Sequence, residues 1–151
     1  MRVIVTGDRN WHARKLARQV VNRLLLQYGP GLVIVHGGGD GIDRAFAEAC
    51  FELRVKQAVH FVQWDDLRAP GAVIGHSRNG RPYNTNAEPV RNAEMVAAGA
   101  EMCFAFHRFL AGCSGTKDRV RRALEAGIPT YLIDSENAEP KRLRADDGRL
   151  S

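Results

Sequence analysis

Apolar residues come in five short runs, separated by stretches whose apolar positions recur every three or four residues. The runs are 3–5, 32–35, 58–62, 102–106 and 130–133. Each has strand length and no polar alternation, which predicts strands covered on both faces. The spacing predicts helices over 12–28, where Leu16, Val20, Leu24 and Tyr28 form one stripe, and from Ile42 through Phe46 and Cys50 to Leu53. Further helices are predicted over 88–98 and 116–126, the last stopped by Gly127 before Pro129. Strands alternating with amphipathic helices imply an α/β fold: a Rossmann-like, doubly wound parallel sheet of about five strands with helices on both faces. In such folds ligands sit outside the carboxyl ends of the strands.

Two segments break the rhythm. Residues 63–87 lack a period and hold glycines, prolines, asparagines and arginines, so a long loop or lid over the strand ends is expected there. Residues 135–151 mix both charges with few apolar groups and are expected to form a charged tail. The Rossmann-like domain is therefore expected to span 1–134.

Three strand-to-helix junctions carry the polar residues. Val35-His36-Gly37-Gly38-Gly39-Asp40-Gly41-Ile42-Asp43 runs from an apolar strand through glycines into a helix. That layout lets backbone N–H groups and a helix N-terminus approach a phosphate. The glycines fit neither the ATPase P-loop nor the dinucleotide fingerprint. A tight turn without ligand is the plainer alternative. Gly112-Cys113-Ser114-Gly115-Thr116 is a second such turn, where Ser114 or Thr116 binds phosphate or simply caps the helix. Thr6-Gly7-Asp8-Arg9 follows the first strand. There Arg9 offers a fork for phosphate, and Asp8 either accepts from a ribose hydroxyl or caps the next helix. The expected ligand-binding set is Gly7, Asp8, Arg9, Gly37, Gly38, Gly39, Gly41, Asp43, Arg91, Asn92, Ser114, Gly115 and Thr116. Trp11 and Trp64 flank strand ends, where they either stack on a base or pack in the core.

These stretches, with Arg91-Asn92-Ala93-Glu94-Met95 and Ser114-Gly115-Thr116-Lys117-Asp118, occur in an order that resembles the YspA/YpsA-related branch of the SLOG superfamily. The resemblance implies a Rossmann-like fold and a pocket for a nucleotide or nucleotide-derived ligand, of the nucleoside monophosphate, NAD or ADP-ribose class, with a sensor among the roles it allows. The same superfamily holds the Lonely Guy phosphoribohydrolases. Arg91-Asn92-x-x-Met95 is similar to their Arg-Lys-x-x-Met motif, and Gly115-Thr116 to part of Gly-Gly-x-Gly-Thr-x-x-Glu. That resemblance implies an alternative N-glycosidase activity on nucleoside monophosphates, with Arg91 and Asp118 as candidate catalytic residues. Arg119 stands where the motif has its glutamate, and Asp118 is one position early. A third reading, single-stranded DNA binding, follows from kinship with DNA-processing protein A.

Composition narrows these readings. Net charge is +5, with basic residues scattered among acidic ones, so a small anion suits the chain better than nucleic acid. His36, His60, His76 and His107 have no paired ligand spacing, so no metal and no required cofactor is expected. The odd set Cys50, Cys103 and Cys113 suggests reduced thiols, with the first two in the core. The first strand begins almost at Met1 and no apolar stretch has membrane-spanning length, so a cytoplasmic protein without a membrane partner is expected, with a homo-oligomer as an allowed state.

Overall fold

The computed structural model describes residues 1–151. Strand β1 (Arg2–Gly7) leads through α1 (Arg14–Tyr28) to β2 (Val33–His36), then through α2 (Ile42–Leu53) to β3 (Lys56–Val59). A small hairpin, β4 (Ile74–His76) and β5 (Pro82–Asn84), precedes α3 (Ala87–Ala97). The chain continues through β6 (Met102–Phe106), α4 (Ser114–Glu125), β7 (Thr130–Ile133) and the two-residue β8 (Lys141–Arg142). The main sheet has six strands in the order β3-β2-β1-β6-β7-β8. All its pairings are parallel except β7 with β8. The architecture is the expected doubly wound α/β fold, with one antiparallel edge strand added.

Alternate side chains of each strand enter opposite layers. Val3, Val5 and Ile34 pack with Phe46, Leu16 and Val21 beneath α1 and α2. Ile4, Val35 and Cys103 pack with Met95 and Ala123 beneath α3 and α4. The continuous apolar runs are thus explained by burial on both faces, the condition for a parallel sheet. Helix α1 stops where Gly29 takes φ +80° and its N–H donates to the Leu25 carbonyl. Helix α2 ends instead at Arg54, a side-chain-bearing residue in the left-handed region at φ 57°.

Three expectations need correction. The third strand lies at Lys56–Val59, earlier than 58–62, because it pairs in register with Val33–His36 and ends where β2 ends. The segment 63–87 contains an ordered hairpin. The buried side-chain oxygen of Asn84 accepts from the Val73 and Asn86 amides, and the Trp64 ring meets Tyr83 edge-on. Residues 135–151 are no loose tail. Arg142 pairs opposite Tyr131 in β8, and Leu143 and Leu150 are buried against Val120 and Leu132. Two well-placed leucines suffice to dock a segment that composition alone describes as polar.

Candidate functional site

The strand order reverses beside β1: β2 and β3 lie on one side of it, β6 and β7 on the other. The carboxyl ends at this reversal bring the three junctions together. The Asp8 amide donates to the Phe106 carbonyl, and the Asp8 carbonyl accepts from the Ile42 amide at the start of α2. A Cβ on Gly7 would lie 2.4 Å from the Phe106 carbonyl oxygen and 2.8 Å from Ile42 Cγ1. One on Gly41, which has φ +65°, would lie 2.3 Å from the Asp8 carbonyl oxygen. Both glycines therefore serve close packing of the protein on itself.

The first glycine turn is largely satisfied internally. Gly38 N–H donates to His36 Nδ1 (3.0 Å), and Gly39 N–H donates to Asp43 Oδ2 (3.1 Å). Of the donors expected for a phosphate between Gly37 and Gly41, the two central ones are thus occupied. Asp43 is 8% exposed, and its Oδ1 is buried without a hydrogen-bond partner. Asp8 behaves as a local cap: its Oδ1 accepts from the Asn10 amide, while Arg9 stays exposed at the rim.

The second turn is different. Helix α4 begins at Ser114, and the first backbone bond into it runs from Lys117 N–H to the Cys113 carbonyl. The amides of Ser114, Gly115 and Thr116 precede that bond, and no protein group accepts from them. Thr116 is fully buried and Ser114 exposed. Helix N-termini of this kind carry partial positive charge.

Two buried arginines lie at these strand ends. Arg91, 6% exposed, donates through Nη1 to the carbonyls of Gly37 (3.0 Å) and His60 (3.1 Å) and through Nε to Asn92 Oδ1 (2.8 Å). Arg119, 9% exposed, donates through Nε to Thr6 Oγ1, and its Nη1 lies 3.8 Å from Glu88 Oε1. Burial first, and then the charge of Arg119, push the Arg91 pKa down from its usual value; Asp43 and Glu88 partly offset this. Glu88 Oε1 would also lie 2.8 Å from a Cβ on Gly115, which places a carboxylate against the start of α4.

Asp118 is held away from reactive freedom. Its Oδ2 accepts from Asn92 Nδ2 and from Arg122 Nε, each at 2.9 Å. Asn92, buried, links Arg91 to this carboxylate. Sequence reasoning missed Glu88 and treated Arg119 only as a lost glutamate. The available signal for Arg119 was its place three residues after Thr116, one turn along α4 on the same side. Trp11 is buried with the Arg108 guanidinium 4.7 Å from its ring centroid, so it packs rather than presenting a face.

A doubly wound sheet with two strand-to-helix turns at its reversal defines a Rossmann-like α/β protein. Comparison with known proteins supplies the family. Residues 1–66 match the model of the YspA, cpYpsA-related SLOG family, and the chain belongs to that family. It is also 32% identical over 133 residues to the Gene 61 protein of Mycobacterium phage D29, covering 85% of this chain and 92% of that protein. Membership points to a nucleotide-related ligand and to nothing finer. No helix is long and apolar enough to cross a membrane.

Proposed function

We propose that the protein binds a nucleotide or nucleotide-derived ligand, with a phosphate seated on the start of α4 between Arg119 and Arg91. The observation that carries this reading is the placing of two buried arginines, Arg91 and Arg119, by a helix start whose first three amides have no protein acceptor, with an Arg119 nitrogen 3.9 Å from a Cβ on Gly115. A phosphate brought to buried guanidinium groups and free helix-start amides forms charge-assisted hydrogen bonds with both. The reading keeps Ser114, Gly115, Thr116 and Arg91 from the expected set and adds Arg119. It moves the main anion contact away from Gly38 and Gly39, whose amides are engaged.

Asp43 is the favoured group for a ribose hydroxyl, because its Oδ1 is buried and lacks a donor. Glu88 is the counter-charge that a phosphate must move aside. Titration with inorganic phosphate, AMP, NAD and ADP-ribose, read by thermal shift and calorimetry, tests the reading. Binding to the folded state raises apparent stability by about 2.7 kcal/mol at one hundred times Kd. The absence of binding by all four compounds overturns the proposal.

A second reading, cleavage of an N-glycosidic bond, is favoured by the position of Glu88 rather than that of Asp118. In this reading the Glu88 carboxylate, beside Arg119, takes a proton from water as the water oxygen bonds to the anomeric carbon; the C–N bond breaks, and the base leaves with its electron pair and takes a proton from solvent. Free base released from a nucleoside monophosphate, and lost in Glu88→Gln, is the expected result. Binding without any release of base leaves the protein a receptor and retires this second reading.

A further inference from the structure

Phe61, just beyond the end of β3, is an aromatic side chain that phosphate binding leaves unused. It is 62% exposed, and no other ring of the protein stacks on it. One edge of the ring rests on the first glycine turn. A Cβ on Gly38 would lie 2.5 Å from Phe61 Cε1 and 2.7 Å from Cδ1, so the missing side chain at Gly38 is what lets the ring approach.

The ring and the phosphate-side arginine grip the same turn. A Cβ on Gly37 would lie 2.4 Å from Arg91 Nη1, and a Cβ on Gly38 would meet Phe61. Consecutive Cα atoms are about 3.8 Å apart, so cation and ring flank neighbouring positions. Arg91 also donates to the carbonyl of His60, the residue before Phe61, which fixes the backbone that carries the ring. Elsewhere along the strand ends, Trp11 is buried, Trp64 is engaged edge-on with Tyr83, and Phe109, 69% exposed, lies against Gly112, so Phe61 is the exposed ring that shares a turn with Arg91. An exposed ring held beside a buried cation suits a ligand with a flat apolar portion joined to an anion.

We propose that Phe61 is the wall on which the nucleobase stacks, so that the site selects nucleotides over bare sugar phosphates. This deepens the phosphate reading above and rests on it. Stacking is insensitive to base identity, because every base has a π face. Phe61 therefore selects for the presence of a base, while the edges of the base are read elsewhere.

Calorimetry with AMP, ADP-ribose and ribose 5-phosphate, on the parent, Phe61→Ala and Phe61→Trp, tests the inference. Phe61→Ala is expected to weaken AMP and ADP-ribose about ten- to hundredfold and to leave ribose 5-phosphate unchanged. Phe61→Trp is expected to retain AMP affinity, with tryptophan emission quenched on binding. AMP affinity in Phe61→Ala equal to that of the parent overturns the stacking role alone. An equal loss for AMP and ribose 5-phosphate overturns it too, since damage then extends beyond the base. A parent that binds none of the three compounds overturns the phosphate reading and takes this inference with it.

Discussion

Arg119 on α4 donates its Nε hydrogen to the hydroxyl of Thr6 at the end of β1, across 113 residues of sequence. This bond aims the guanidinium at the reversal of the sheet. It leaves Nη1 facing Glu88, 3.8 Å from its Oε1.

Replacing Arg119 with glutamine should weaken phosphate and nucleotide binding about ten- to hundredfold, the usual worth of a charge-assisted contact. Stability without ligand should fall by about 1–3 kcal/mol, because the buried bond to Thr6 and the charge facing Glu88 are both lost. Calorimetry and denaturant melts check the two halves separately. Unchanged affinity would place the phosphate elsewhere.

The C-terminal segment should behave as part of the core. Leu150 is 3% exposed, its carbonyl accepts from Arg121, and its side chain packs with Leu143 and Leu132. Leu150→Ala should cost about 2–4 kcal/mol. For a chain of this size each kcal/mol lowers Tm by about 2–4 °C. A variant with the parent's Tm would return this segment to a dispensable appendage.

His107 makes stability depend on pH. Its Nδ1 accepts from the Phe109 amide, and burial pushes its pKa below the ordinary 6.5, with Asp8 opposing. Protons then bind the unfolded chain more readily than the folded one. The stability from this group is complete above the unfolded pKa and is lost as pH falls through the folded pKa. Denaturant melts from pH 7.5 to 5 should show a decline that flattens in His107→Gln. Parallel slopes for the two proteins would exclude His107 as the source.

The three thiols should separate by reactivity. Burial pushes Cys50 and Cys103 up to about 12, so neither supplies thiolate near neutrality. Cys113 is partly exposed at the start of α4. A disulfide exchange reagent should modify one thiol in the native protein and three after denaturation. Bound AMP should slow the native reaction, because its phosphate is proposed to sit one or two residues away. Fast modification of two or three native thiols would contradict the burial.

The framework was legible because it rests on local patterns. Continuous apolar runs at Val3-Ile4-Val5 and Leu32 to Val35 can only be covered on both faces, and α/β layering follows. Asn84 shows where this legibility stops. Its two amide contacts organise the hairpin, and no period announces them. The glycine turns were legible as turns but not in their individual uses. Gly41 gives way to the Asp8 carbonyl and Gly38 to the Phe61 ring, relations set by elements that meet only on folding. Glu88 was invisible for the same reason. An acidic residue in a first helical turn is ordinary until Arg119 arrives beside it.

The sheet's outermost strands have a consequence for solubility. On one border Lys56 and Gln57 are exposed, and on the other Lys141 and Arg142 form a strand only two residues long. A ribbon from another molecule would meet charge at both borders and a very short backbone ladder at one of them. Open-ended growth through strand addition is therefore blocked at either margin, and the chain can keep an exposed phenylalanine at its rim without that growth following.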